Sequence, residues 1–157
     1  MSHIEHNLQQ LGIELPTPLA PVANYLPYVQ SGNLVYISGQ ICAGADGKIA
    51  DAHKGKLGGE VSETAGKEAA GLCVINLMAQ LKAAVGGDFS RIVRCVRLGG
   101  FINSTPDYAA LPAVMNGASD LIVAIMGDAG RHARSTVGVA ELPLDCAVEV
   151  EGIFEIA

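Results

Sequence analysis

The chain has 157 residues, with 10 Lys+Arg against 16 Asp+Glu, a formal net charge of −6, half of its residues apolar and 17% charged. That excludes a disordered protein, which lacks the apolar residues to form a core, and argues against nucleic acid as the main partner, because phosphate binding needs a basic face. The apolar half is skewed, with no Trp, 4% aromatic residues and 19 Gly, so the core must use small and β-branched side chains, and the apolar surplus points to a homo-oligomer.

In chain order, Ile4, Leu8 and Leu11 recur at helical spacing and Gly12 supplies a stop, which predicts a short amphipathic helix over 3–12. The start, Met1 to His6, has no basic stretch followed by an apolar one, so no secretory signal is expected. Residues 14–27 are proline-rich and extended. The longest uncharged run, Leu15 to Ala45, holds Pro16, Pro18, Pro21 and Pro27 and cannot be a membrane-spanning helix. Tyr28–Gln30 and Leu34–Ser38 flank a turn at Ser31-Gly32-Asn33 and read as a hairpin. A polar loop is expected over 49–60.

Ser62 can cap a long helix that Gly86-Gly87 ends, with Ala70, Val74, Leu77, Leu81 and Ala84 as its inward stripe. Arg91 to Ile102 reads as a strand. Thr105-Pro106-Asp107 looks like a helix start, and Pro112 then implies one turn at 106–110 and a second helix from 112 to 126, with Val114, Ala118, Leu121 and Ile125 inward. Two strands follow, over 134–142 and 146–156, the second with Cys146, Val148, Val150, Phe154 and Ile156 on one apolar face. The order ββ, α, β, α, ββ favours an α+β fold with a mixed sheet and both main helices on one face.

Chemistry concentrates in the last forty residues. If the final two strands pair across Pro143-Leu144-Asp145, Thr136 lies opposite Glu151 and Gly138 opposite Glu149. That register puts Arg134 on one face with both glutamates. An arginine beside carboxylates can grip a substrate carboxylate while a glutamate manages water or a proton. A surface ion pair worth about 0–1 kcal/mol is the bland alternative. His132, between Arg131 and Arg134, reads as an acid/base or anion ligand, or as a solvated loop histidine. His3, His6, His53 and His132 never take a metal-ligand spacing, so no metal is expected. Cys42, Cys73, Cys95 and Cys146 show no C-x-x-C and read as reduced, mostly buried thiols of a cytoplasmic protein. Gly39, at the end of a strand, permits either a bulge or close approach of backbone to a ligand.

Two runs resemble a known family. Ala133-Arg134-Ser135-Thr136-Val137-Gly138-Val139-Ala140-Glu141-Leu142-Pro143 with Val148-Glu149-Val150-Glu151 is similar to the C-terminal signature of the RidA/YjgF family, also called endoribonuclease L-PSP. Pro27-Tyr28-Val29-Gln30 and Ile37-Ser38-Gly39-Gln40-Ile41 resemble its N-terminal signature. The likeness runs from about residue 20 to 157, within one domain over 1–157 whose first 19 residues form a helix and arm. The resemblance implies a chorismate-mutase-like fold, a homotrimer with clefts between subunits and a small carboxylate ligand. It also implies cofactor-free hydrolysis of reactive enamines and imines, of the 2-aminoacrylate type, to 2-keto acids and ammonia. In that scheme Arg134 clamps the carboxylate, Glu149 positions or activates water, and Tyr28 and Gly39 line the cleft. Two departures stand out. Thr136 replaces the family's cysteine, and Pro112 replaces a lining asparagine, with Asn116 one turn on. A non-catalytic carboxylate-binding protein is the alternative, and a ribonuclease or translation inhibitor a third.

Overall fold

Ser2 opens the first helix. Its hydroxyl accepts the Glu5 N–H at 3.3 Å and the Glu5 carboxylate accepts the Ser2 N–H at 2.7 Å, a reciprocal cap. In the computed structural model, which describes residues 1–157, this helix, α1, spans His3–Gln10 and buries Ile4 and Leu8. Leu11 falls outside it and is 45% exposed, because Gly12 (φ 67) turns the chain away.

The strands are β1 (Tyr28–Ser31), β2 (Leu34–Ile41), β3 (Ile92–Asn103), β4 (Ala133–Val139) and β5 (Val148–Ile156), in the sheet order β1-β2-β5-β3-β4. All neighbours are antiparallel except β3 and β4. β2 runs past Ser38. Ile37 pairs with Gly152 and Gln40 with Val150, so Ser38 and Gly39 form a bulge.

Helices α2 (Glu63–Ala84) and α3 (Leu111–Met126) pack on one face of this sheet, the expected α+β arrangement. The Ser62 hydroxyl caps α2 by accepting the Ala65 N–H. Ala70, Val74, Leu77 and Leu81 are buried as expected, but so are Ala69, Cys73, Met78 and Ala79 on its other sides. The helix is enclosed by the sheet, by α3 and by the N-terminal arm, where Gln80 Nε2 donates to Leu19 O at 2.8 Å. Asn76 Nδ2 donates to Ile41 O and Ala43 O, which satisfies a second buried amide.

Thr105-Pro106-Asp107 starts no helix. It makes a turn closed by Tyr108 N–H on Thr105 O at 3.2 Å, and α3 begins at Leu111 with Pro112 in its first turn, where a missing N–H costs nothing. Ile122 takes the fully buried place expected for Leu121. α1 docks on the C-terminal end of α3: Asn7 Nδ2 donates to Ile125 O and His3 Nε2 to Met126 O, meeting carbonyls that the helix end leaves unpaired. The segment 49–60 is no free polar loop. Leu57 is fully buried and bridges Ser104 and Val61.

β4 and β5 do not pair. The connection through α3 makes β4 a parallel edge strand on β3, while residues 140–147 lead back into the gap between β3 and β2. Leu144 (φ 59) and Asp145 (φ 55) turn the chain there. Thr136 therefore lies beside Gly100 and Gly138 beside Ile102, rather than opposite Glu151 and Glu149. Val148, Val150, Phe154 and Ile156 face the helices and are buried, as alternation predicts, so Glu149 and Glu151 face the open side. Arg134 lies beside buried Leu98 and faces the helices. The expected common face for Arg134 and the glutamates is overturned.

Candidate functional site

The chain presents two separate clusters, one on each side of the sheet. The first is built where β4 passes α3. Pro112, Asn116 and Ser119 recur at helical spacing along one side of α3, and Arg134 reaches them all. Its Nη1 donates to Asn116 Oδ1 at 2.9 Å and to Ser119 Oγ at 3.0 Å, and its Nη2 to Pro112 O at 3.4 Å. These acceptors are neutral, so the guanidinium keeps its full charge. Three of its five N–H groups are held, and one on Nε and one on Nη2 remain for an outside acceptor. Ser119 Oγ is also 2.9 Å from His132 Nε2, and His132 Nδ1 is 2.6 Å from Gly130 O. Thr136, two residues along the same face as Arg134, has its Oγ1 buried without a partner.

The second cluster surrounds Glu149 in a cavity of about 330 Å³. One wall is the proline-rich arm, including Pro21, Tyr25 and Pro27. Opposite it stand Gly39, Ile41, Pro143 and Leu144. This wall is apolar, and burial, with a smaller contribution from the charge of Glu151, raises the Glu149 carboxyl above its ordinary 4.5. Gly39 lets the carboxyl lie close to the backbone: a Cβ at that position would sit 2.7 Å from Glu149 Oε1, and the Glu149 side chain would have to shift. Of the alternatives the sequence left for Gly39, the structure shows the bulge.

The sequence-derived candidates thus divide. Arg134, Asn116, His132 and Thr136 gather on the helix side, and Glu149 and Gly39 on the open side. Tyr28 lines neither cluster; its ring packs against the core. Tyr25, three residues earlier, is the aromatic beside Glu149. Its signal was the proline-rich arm itself, which has no helix or strand to join and must lie over something. Ser119 was also missed, although its spacing of three from Asn116 on the same helix was available. A wider, shallower depression of about 720 Å³ lies by Arg94, Arg131 and Glu155. Its Arg131 is exposed and already paired with Asp128 at 3.3 Å, so it offers no built site. His, Cys, Asp and Glu side chains nowhere converge in threes as a metal centre needs.

Comparison with known proteins agrees with this architecture. The chain is 43% identical to protein TCP17 of Trypanosoma cruzi over 151 residues, covering 96% of this chain and 92% of that one. It is 31% identical to a 2-iminobutanoate/2-iminopropanoate deaminase of Dermatophagoides farinae over 144 residues, 90% of this chain and 94% of that one. Among solved structures, Atu1372 of Agrobacterium tumefaciens superposes with a TM-score of 0.90 at 44% identity, over 99% of this chain and 93% of the other. RidA of a Psychrobacter species superposes at 0.60 with 27% identity, over 91% and 96%. A family model described as "YjgF/chorismate_mutase-like, putative endoribonuclease" matches residues 5–155. With nearly the whole chain matched and the two strand signatures in place, the protein belongs to the YjgF/RidA family.

Proposed function

We propose that the protein is a hydrolytic deaminase of small 2-imino acids, releasing the 2-oxo acid and ammonia. The observation that carries this reading is the Arg134 cradle: a guanidinium held by three neutral acceptors, with no carboxylate of its own, keeps its charge for a ligand carboxylate. The relative from Dermatophagoides farinae supplies the reaction class.

The chemistry needs little from the protein. An imine carbon is electrophilic, more so once its nitrogen is protonated. Water adds to that carbon and loses a proton. The resulting carbinolamine takes a proton on nitrogen, expels ammonia and leaves the C=O. A carboxyl group whose pKa is raised can pass those protons near neutral pH, and Glu149 is such a group. Arg134 would hold the substrate so that its imine carbon meets the water.

One chain keeps Arg134 and Glu149 on opposite sides of the sheet. In this proposal the working cleft therefore forms between copies, with Arg134 from one subunit and Glu149 from its neighbour, in a homotrimer. A carboxylate-binding protein without turnover is the second reading, favoured by the fact that the Arg134 cluster is complete without Glu149. The test supplies 2-aminoacrylate from a dehydratase and follows formation of the 2-oxo acid. Acceleration over the spontaneous rate is expected, with Arg134→Ala and Glu149→Gln each reducing it by at least about a hundredfold. Binding of 2-oxo acids without acceleration selects the second reading, and neither binding nor acceleration defeats both.

A further inference from the structure

A line of groups stands behind the Arg134 guanidinium, and it begins at a glycine. Gly127 (φ 64) ends α3, and Gly130 then lies so near the helix that a Cβ there would sit 2.5 Å from Ile122 O and 3.0 Å from Val123 Cα. That close approach fixes the Gly130 carbonyl beside α3. The carbonyl is 2.6 Å from His132 Nδ1. A carbonyl can only accept, so Nδ1 carries the ring hydrogen and Nε2 of the neutral imidazole is an acceptor. Nε2 lies 2.9 Å from Ser119 Oγ, so Ser119 gives its only proton to His132. The remaining lone pairs of Ser119 then face Arg134 Nη1 at 3.0 Å. A hydroxyl that would otherwise rotate is set as an acceptor towards the guanidinium.

We propose that Ser119 and His132 are a positioning pair for Arg134. His132 sets the direction of the Ser119 hydroxyl, and Ser119, with Asn116, holds Nη1 so that the Nε–Nη2 side meets a planar carboxylate. His132 works through Ser119 and does not touch the ligand, unlike the anion-ligand role its sequence neighbours suggest. The inference rests on the reading of Arg134 as a carboxylate clamp. Its physical basis is preorganisation. An arginine tied at a single acceptor still turns about its terminal torsions, and ordering it on binding weakens affinity. Two acceptors on Nη1 remove that freedom beforehand.

The test titrates 2-oxobutanoate, the hydrolysis product of 2-iminobutanoate, into the intact protein by calorimetry, with ¹⁵N NMR of the imidazoles in parallel. Ser119→Ala is expected to weaken binding about tenfold, the loss of one hydrogen bond to a charged group. Ser119→Thr, which keeps the hydroxyl, should bind like the parent. His132→Phe should match Ser119→Ala, while His132→Gln, whose amide oxygen can stand in for Nε2, should recover most of the loss. The double variant Ser119→Ala/His132→Phe should be no worse than either single one, because both remove the same link. In the parent, His132 should show the Nδ1-protonated form, with the Nε2 signal moving in Ser119→Ala. Parent-like binding by Ser119→Ala and His132→Phe, with binding lost in Arg134→Ala, overturns the positioning pair and leaves the clamp standing. Additive losses in the double variant, or an Nε2-protonated His132 in the parent, also overturn the pair. No binding by the parent, or parent-like binding by Arg134→Ala, overturns both readings.

Discussion

Arg97 and Arg134 lie on the same sheet and meet different fates. Arg97 pairs with Glu151 at 3.4 Å with both side chains more than a third exposed, a surface ion pair worth little. Arg134 is bound by an amide, a hydroxyl and a backbone carbonyl, and its charge is left for a ligand. The glutamates divide in the same way. Glu151 has an arginine beside it, whereas Glu149 has an apolar wall that pushes its carboxyl up. For such a carboxyl the fold favours the protonated form. Its contribution to stability is complete below the ordinary value of 4.5 and is lost as pH rises through the higher folded-state value. Glu149→Gln should therefore melt higher than the parent at about pH 7, with the difference closing at about pH 4. Equal melting temperatures at both values would remove the buried-carboxyl account. Sequence spacing found both residues and failed on their shared face, because residue alternation gives sidedness only once the neighbouring strand is known.

At the scale of elements, the two main helices meet through small residues. A Cβ on Gly117 of α3 would lie 2.2 Å from Lys67 O and 2.7 Å from Lys67 Cα on α2. Neither backbone atom can swing aside as a side chain could. Helix propensity alone would make Gly117→Ala stabilising by about 1 kcal/mol, whereas overpacking predicts a loss of about 1–3 kcal/mol. Urea unfolding decides by the sign, and the loss is expected. The abundance of glycine announced a core of small side chains without saying which element each residue met. The α2 stripe was likewise half legible. Periodicity marked the face on the sheet, but the burial of Ala69 and Met78 comes from elements far away in sequence. The alternation along Val148–Ile156 was fully legible, because one face of β5 is core and every second residue reports it.

The whole molecule has a sheet covered on one side by α2 and α3. On the uncovered side Val29, Tyr36 and Val137 are 51%, 45% and 47% exposed, beside partly buried Phe101 and Ile153. An apolar face of this kind is suited to covering by further copies of the chain. Light scattering should give about three times the 16.2 kDa chain mass, and Val137→Asp should lower it. A parent that stays at the single-chain mass would end the reading in which Arg134 and Glu149 share a cleft. The family relation also has a scale. Atu1372 matches at a TM-score of 0.90 and Psychrobacter RidA at 0.60.

From the sequence by itself came the main helices and strands, the α+β class, the inward face of β5, the burial of most of the cysteines and the two charged residues worth pursuing. Each depends on local periodicity, turn chemistry or a short signature, all of which are properties of neighbouring residues. Only the tertiary structure decided that β5 enters between β2 and β3, that Arg134 and Glu149 therefore face opposite ways, and that Ser119 and His132 stand behind the guanidinium. Those facts depend on which strands pair and which helix lies over them. A one-residue or one-strand change in pairing reverses a side chain's face without altering any local pattern.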